Sequence, residues 1–123
     1  MAETEEKVFY VATHAAEDAE RASLPFTLAN AALVMDMQAT IFLHGNGVFL
    51  AKKGYAKNVN SVDFGSFEKL LTDFLELGGK LLVCVPCMNG RKIDESDLIE
   101  GAQTTAAAKV TTEMLTAQVH LVY

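Results

Sequence analysis

Four short runs of apolar, β-branched and aromatic residues punctuate the chain, and the stretches between them keep a helical rhythm. This alternation limits the possible folds more than any other feature. The runs are Lys7-Val8-Phe9-Tyr10-Val11-Ala12-Thr13, Gln38 to Leu43, Lys80 to Val85, and Val119-His120-Leu121-Val122-Tyr123. The longer ones are nearly continuous in apolar character, the pattern of strands covered on both faces.

Between the first two runs, Leu24, Leu28, Ala31, Ala32 and Met35 recur at threes and fours, which predicts a helix within Asp18 to Met37. Pro25 fits either a first turn starting near Ser23 or a kink in a helix that begins nearer Asp18. Phe67, Leu70, Leu71, Phe74 and Leu75 predict a second helix, with Ser66 as N-cap and Gly78-Gly79 as its stop. A third is expected to start in the acidic turn Asp94-Glu95-Ser96-Asp97 and to run through Leu98, Ala102, Ala106, Val110 and Met114. Val48 to Ala51 suits a short helix or a minor strand, and Asn58 to Asp63 a loop.

Strands alternating with helices build βαβ units with right-handed crossovers. The predicted fold is therefore α/β: three layers, α/β/α, around a mainly parallel sheet of four to five strands. Its outline is flavodoxin-like or Rossmann-like, as a single domain over residues 1–123.

The two cysteines, Cys84 and Cys87, stand where the third strand gives way to the polar loop Asn89-Gly90-Arg91-Lys92. In open parallel sheets functional groups gather at the carboxyl ends of strands. That rim is expected to carry His14 after the first strand, His44 after the second, and the cysteine pair after the third. Arg91 and Lys92 are cations near the thiols, and cations raise the thiolate fraction that acts as nucleophile. The same positions also suit Cys84 as a small buried hydrophobe and Cys87 as loop filler. A thioredoxin-like pair is disfavoured, because the helix that should start at once is expected only near Asp94. His44-Gly45-Asn46-Gly47 lacks the third glycine or lysine of a phosphate loop.

Composition removes other classes. A net charge of -6 and a pI near 4.9 repel nucleic acid and anionic lipid. The acidic start Met1 to Lys7 is unlike a secretory leader, and no apolar stretch reaches the roughly 18 residues of a membrane span. A cytoplasmic protein with no nucleic-acid or membrane partner is expected, its cysteines thiols, ligands or catalysts rather than a staple. Half the residues are hydrophobic and 21% charged, so part of the surface is expected to be buried between subunits.

These residues resemble the DsrE/DsrF-like family, which includes TusD-type sulfur relay subunits. The resemblance is carried by Ala12-Thr13-His14, Leu28-Ala29-Asn30-Ala31-Ala32, Ile41-Phe42-Leu43 with Gly47-Val48, Lys52-Lys53-Gly54, and above all Gly79-Lys80-Leu81-Leu82-Val83-Cys84-Val85-Pro86-Cys87, followed by Asp97 to Ala102. It implies a three-layer fold, assembly into homotrimers or homohexamers, and a cysteine at the Cys84 position that accepts sulfur as a persulfide and hands it on. The protein would be a sulfur carrier more than a turnover enzyme, needing no cofactor and served by sulfur donor and acceptor proteins. Many members have one cysteine here, so Cys87 is this sequence's addition, a possible resolving thiol. Two other readings remain: a metal-binding module using Cys84 and Cys87 with His14 and His44, and a dithiol oxidoreductase cycling a Cys84–Cys87 disulfide.

Overall fold

A computed structural model describes residues 6–123, so the first five residues of the acidic N-terminal stretch lie outside it. Five parallel strands form one sheet: β1 (Lys7–Ala12), β2 (Gln38–Leu43), β5 (Lys80–Cys84), β6 (Ala102–Thr105) and β7 (Val119–Val122). Two-residue strands β3 (Asn60–Ser61) and β4 (Gly65–Ser66) pair separately, β3 within the Asn58 to Asp63 stretch expected to be loop and β4 just beyond it. The helices are α1 (Ala19–Val34), α2 (Phe67–Glu76), α3 (Val85–Gly90) and α4 (Ala107–Met114).

Across the sheet the order is β6-β5-β2-β1-β7. The chain thus steps outward from β1 in one direction, then returns over the opposite face to place β7 beside β1. That extends the 3-2-1 half of a Rossmann sheet and differs from the flavodoxin order. Right-handed crossovers in opposite directions put α1 and α2 on one face and α4 on the other.

The α1–α2 face holds the aromatic core. Phe26 meets Phe67 and Phe74 edge to face, with ring centroids 4.8 and 5.4 Å apart, and all three side chains are fully buried. α1 begins at Asp18, whose side chain accepts the Arg21 amide, and carries Pro25 in its interior, so the longer of the two expected starts is the observed one. Ser66 caps α2 as its hydroxyl accepts the Lys69 amide.

The long helix expected over residues 94–114 is not formed. The chain makes a single 3₁₀ turn at Glu95–Asp97, enters strand β6, and only then turns helical at Ala107. A spacing of strictly four drifts around a helix of 3.6 residues per turn, so Leu98, Ala102, Ala106, Val110 and Met114 do not make one stripe. Gly101 adopts φ +96, which a helix excludes, and the β-branched Thr104 and Thr105 pair with Val83 and Cys84. Val48 to Ala51 likewise resolves as 3₁₀ helix, within the turn Gly45–Ala51.

Candidate functional site

β1, β2, β5 and β6 end together, and their register makes a row. Cys84 pairs with Thr105. One step beyond the pairs Ala12–Leu43 and Leu43–Val83, the same register sets Thr13 beside His44 and His44 beside Cys84. Side chains alternate faces along a strand, so this row points with Val11 and Phe42 towards α4.

Under α4 the sheet leaves a pocket of about 480 Å³. Val11, Phe42, Val110, Met114 and Val122 make its walls mainly apolar, while His44, Cys84 and Cys87 line its rim. A larger groove of about 770 Å³ between α1 and α2 is lined by neither cysteine nor histidine, so both thiols open on the smaller pocket.

Cys84 closes β5, and α3 starts at the very next residue with Pro86 in its first turn. A short helix thus begins at the pair itself, where none was expected before Asp94, because Pro86 is pre-set for a first helical turn. This brings the thiols together: Cys87 Sγ donates to Cys84 Sγ at 2.8 Å, and both cysteines are free. Cys84 is buried and Cys87 half-buried. The Gly45 amide donates to Cys87 Sγ at 3.2 Å. His44 stacks at a tilt on Phe42, with ring centroids 5.1 Å apart. One donor atom each from His44, Cys84 and Cys87 lie within 4.8 Å of one another.

His14 is not in that group. It follows Thr13, which lines the pocket, one residue out of phase with the row and does not line the pocket itself; its Nδ1 lies 3.1 Å from the Thr13 hydroxyl. Thr13 Oγ1 itself donates to the Tyr123 carbonyl at 2.6 Å, tying β1 to the strand beside it.

The cations behave differently from the expectation too. Arg91 spends its guanidinium on structure, donating to Asn46 Oδ1 at 3.0 Å and to the Cys87 carbonyl at 3.2 Å. Lys92 is exposed and does not line the pocket. Burial pushes the Cys84 thiol up to about 11, its side-chain hydrogen bond with Cys87 adds to the rise, and the Cys87 backbone and, more weakly, Arg91 oppose it. Desolvation outweighs the nearby charge, so Cys84 rests as a protonated thiol.

Two contributors escaped sequence reasoning. Thr105 sits beside Cys84 in register, buried, and its hydroxyl has no hydrogen-bond partner among the described residues. Gly47 passes so close to the end of β1 that a Cβ there would lie 2.0 Å from the Ala12 carbonyl oxygen. Only glycine lets the Gly45–Ala51 turn tuck in and carry the Gly45 amide to Cys87. Thr105 was masked by the helical reading of its segment, and the glycine's role depends on a strand neighbour.

Fold and site together define a three-layer α/β protein with a thiol pair at the carboxyl rim of a parallel sheet. The chain belongs to the DsrE/DsrF-like family, whose model matches residues 6–123. It is 37% identical over 97 residues to the uncharacterized protein MJ0989 of Methanocaldococcus jannaschii, a match covering 79% of this chain and 82% of that one. With MJ0760 of the same organism identity is 34% over 102 residues, covering 83% of this chain and 37% of the relative, so the chain spans little more than a third of that longer protein. Among solved structures, the ychN protein from E. coli superposes with a TM-score of 0.81 at 20% identity, covering 96% of this chain and 99% of that one. The protein MTH1491 from Methanobacterium thermoautotrophicum does so at 0.72 and 13% identity, covering 97% and 99%. These two likenesses concern the fold. No helix among the described residues is long and apolar enough to cross a membrane.

Proposed function

We propose that this protein is a sulfur carrier in which Cys84 accepts sulfur as a persulfide and passes it to an acceptor thiol. The observation that carries the reading is the paired thiols at the mouth of an apolar pocket, with His44 beside them. Membership of the DsrE/DsrF-like family over residues 6–123 supports the same reading, which takes Cys84 as the sulfur-holding position.

His44 is the neighbouring base that can take the Cys84 proton as a donor docks. The Cys84 thiolate attacks the outer sulfur of the donor persulfide and the donor thiolate leaves. An acceptor thiolate then attacks that outer sulfur, and Cys84 leaves as thiolate. Between these steps the apolar walls keep water from the persulfide, and the unpartnered Thr105 hydroxyl offers a hydrogen bond. This is carriage rather than multiple turnover. A reducing compartment such as the cytoplasm keeps both thiols free. A homotrimer or homohexamer is favoured by the apolar residues left outward, with Leu115 82% and Val122 69% exposed. Donor and acceptor proteins complete the relay.

The test is to treat Cys87→Ser and Cys84→Ser chains with a persulfide donor and map the added sulfur by mass. Sulfur on Cys84 of the first and little on the second is expected; equal loading of the two sinks the reading.

A second reading rests on the three donors within 4.8 Å. His44, Cys84 and Cys87 supply three of the four positions of a tetrahedral zinc site, His14 not being among them. It predicts about one zinc per chain in freshly purified protein and thiols that titrate only after chelation.

A further inference from the structure

We infer that Cys87 is a resolving thiol that discharges the Cys84 persulfide as sulfide, so that the chain reduces the sulfur it holds whenever no acceptor protein is docked. The inference rests on the carrier reading of Cys84 and adds a reaction to it.

The geometry is already assembled. Cys87 Sγ lies 2.8 Å from Cys84 Sγ, so no segment need move for one sulfur to reach the other. Cys87 is held from both ends: the Gly45 amide donates to its sulfur at 3.2 Å, and Arg91 donates to its carbonyl at 3.2 Å. Arg91 is in turn fixed by Asn46 at 3.0 Å. An intramolecular nucleophile positioned in this way outcompetes a dissolved thiol by orders of magnitude in effective concentration. An acceptor protein must instead reach the outer sulfur through the mouth of the pocket.

The sulfur that is attacked decides the product. Attack on the outer sulfur only moves the persulfide from Cys84 to Cys87. Attack on Cys84 Sγ forms the Cys84–Cys87 bond, breaks the bond between Cys84 Sγ and the outer sulfur, and expels hydrosulfide, which takes a proton to become hydrogen sulfide. The outer sulfur is reduced and the two cysteines are oxidised, so the electrons balance within the chain. The pocket of about 480 Å³ gives the leaving sulfur room. A small dithiol then reopens the disulfide by exchange, attacking first at Cys87, the more exposed sulfur, and leaves as its own disulfide. Sulfur carriage and dithiol cycling thus become two exits from one intermediate, chosen by whether an acceptor is docked.

The test loads wild-type, Cys87→Ser and Cys87→Ala chains anaerobically with glutathione persulfide. Excess reagent is removed, and sulfide release and intact mass are followed without reductant. Wild type is expected to release about one sulfide per chain and to end two hydrogens lighter than the starting dithiol, with Cys84 and Cys87 joined and dithiothreitol restoring them. Both Cys87 variants should keep one added sulfur on Cys84 and release sulfide about tenfold more slowly. Wild type that holds its persulfide as long as the variants do, or releases sulfide without forming the disulfide, overturns the inference and leaves the carrier reading standing. Variants that take no sulfur on Cys84 overturn the carrier reading and the inference together.

Discussion

On the α1–α2 face, three fully buried phenylalanines interlock, and α1 alone buries six residues. On the α4 face the helix buries only Val110 and leaves a pocket beside two thiols. The same strands serve both faces, so the difference lies in what covers them. Aromatic packing on one side supplies folding free energy, and this frees the other side to keep a cavity and a buried thiol that a tightly packed core would not tolerate. The aromatic core and the thiol pocket are separated by the thickness of one sheet.

Phe74→Ala tests the packed side hardest. It should cost about 3–5 kcal/mol in urea unfolding, whereas Val110→Ala on the pocket side should cost clearly less; equal losses would mean the faces share the load. Next comes the thiol. With Cys84 raised from 9.0 to about 11, its thiolate fraction at neutral pH is about 100-fold below that of an ordinary cysteine. Alkylation of Cys84, followed by peptide mass, should climb with pH through about 11, and a plateau near 9 would show the pocket to be wetter than its lining implies. The sign carries over to stability: the folded state favours the protonated thiol, so this contribution is complete below pH 9 and lost as pH rises through about 11. Gly47→Ala, at the rim between the faces, should cost about 1–3 kcal/mol by forcing the turn away from β1, and should slow sulfur loading because Gly45 moves with it. The smallest effect is expected at the half-exposed ion pair of Lys80 with Glu113, 3.0 Å apart, which ties α4 to β5. Lys80→Met should change unfolding by about 0.2–1 kcal/mol; a larger loss would mean that α4 is anchored by charge rather than by its apolar contacts.

How much of this was legible in the chain follows from the range of each interaction. Strands β1, β2, β5 and β7 and helices α1 and α2 announce themselves through local periodicity, which their packing then reinforces. β6 did not, because five apolar residues spaced by four around Gln103-Thr104-Thr105 imitate a helix until Gly101 and an edge-strand partner are known. The cysteine pair was visible as a strand end, but not its company. His44 joins it because β2 lies beside β5, and His14 does not because a period of two places it one residue out of phase. The influence of Arg91 was misjudged for a related reason: closeness in sequence says nothing of burial, and burial dominates at Cys84.

The row of Thr13, His44, Cys84 and Thr105 has one more consequence. Its members stand one strand spacing apart, about 4.8 Å, on backbones whose ladders are indifferent to the side chains they carry. Apart from the bond of the Thr13 hydroxyl to the Tyr123 carbonyl, each position can therefore be rewritten without redrawing its neighbours, as letters can be changed on a ruled line. Thr13→His would lengthen the line of ligands towards β7, and Thr105→Cys would lengthen the line of thiols towards β6, so a protein engineer could try new donor sets on this rim while the phenylalanines behind the sheet keep the chain folded.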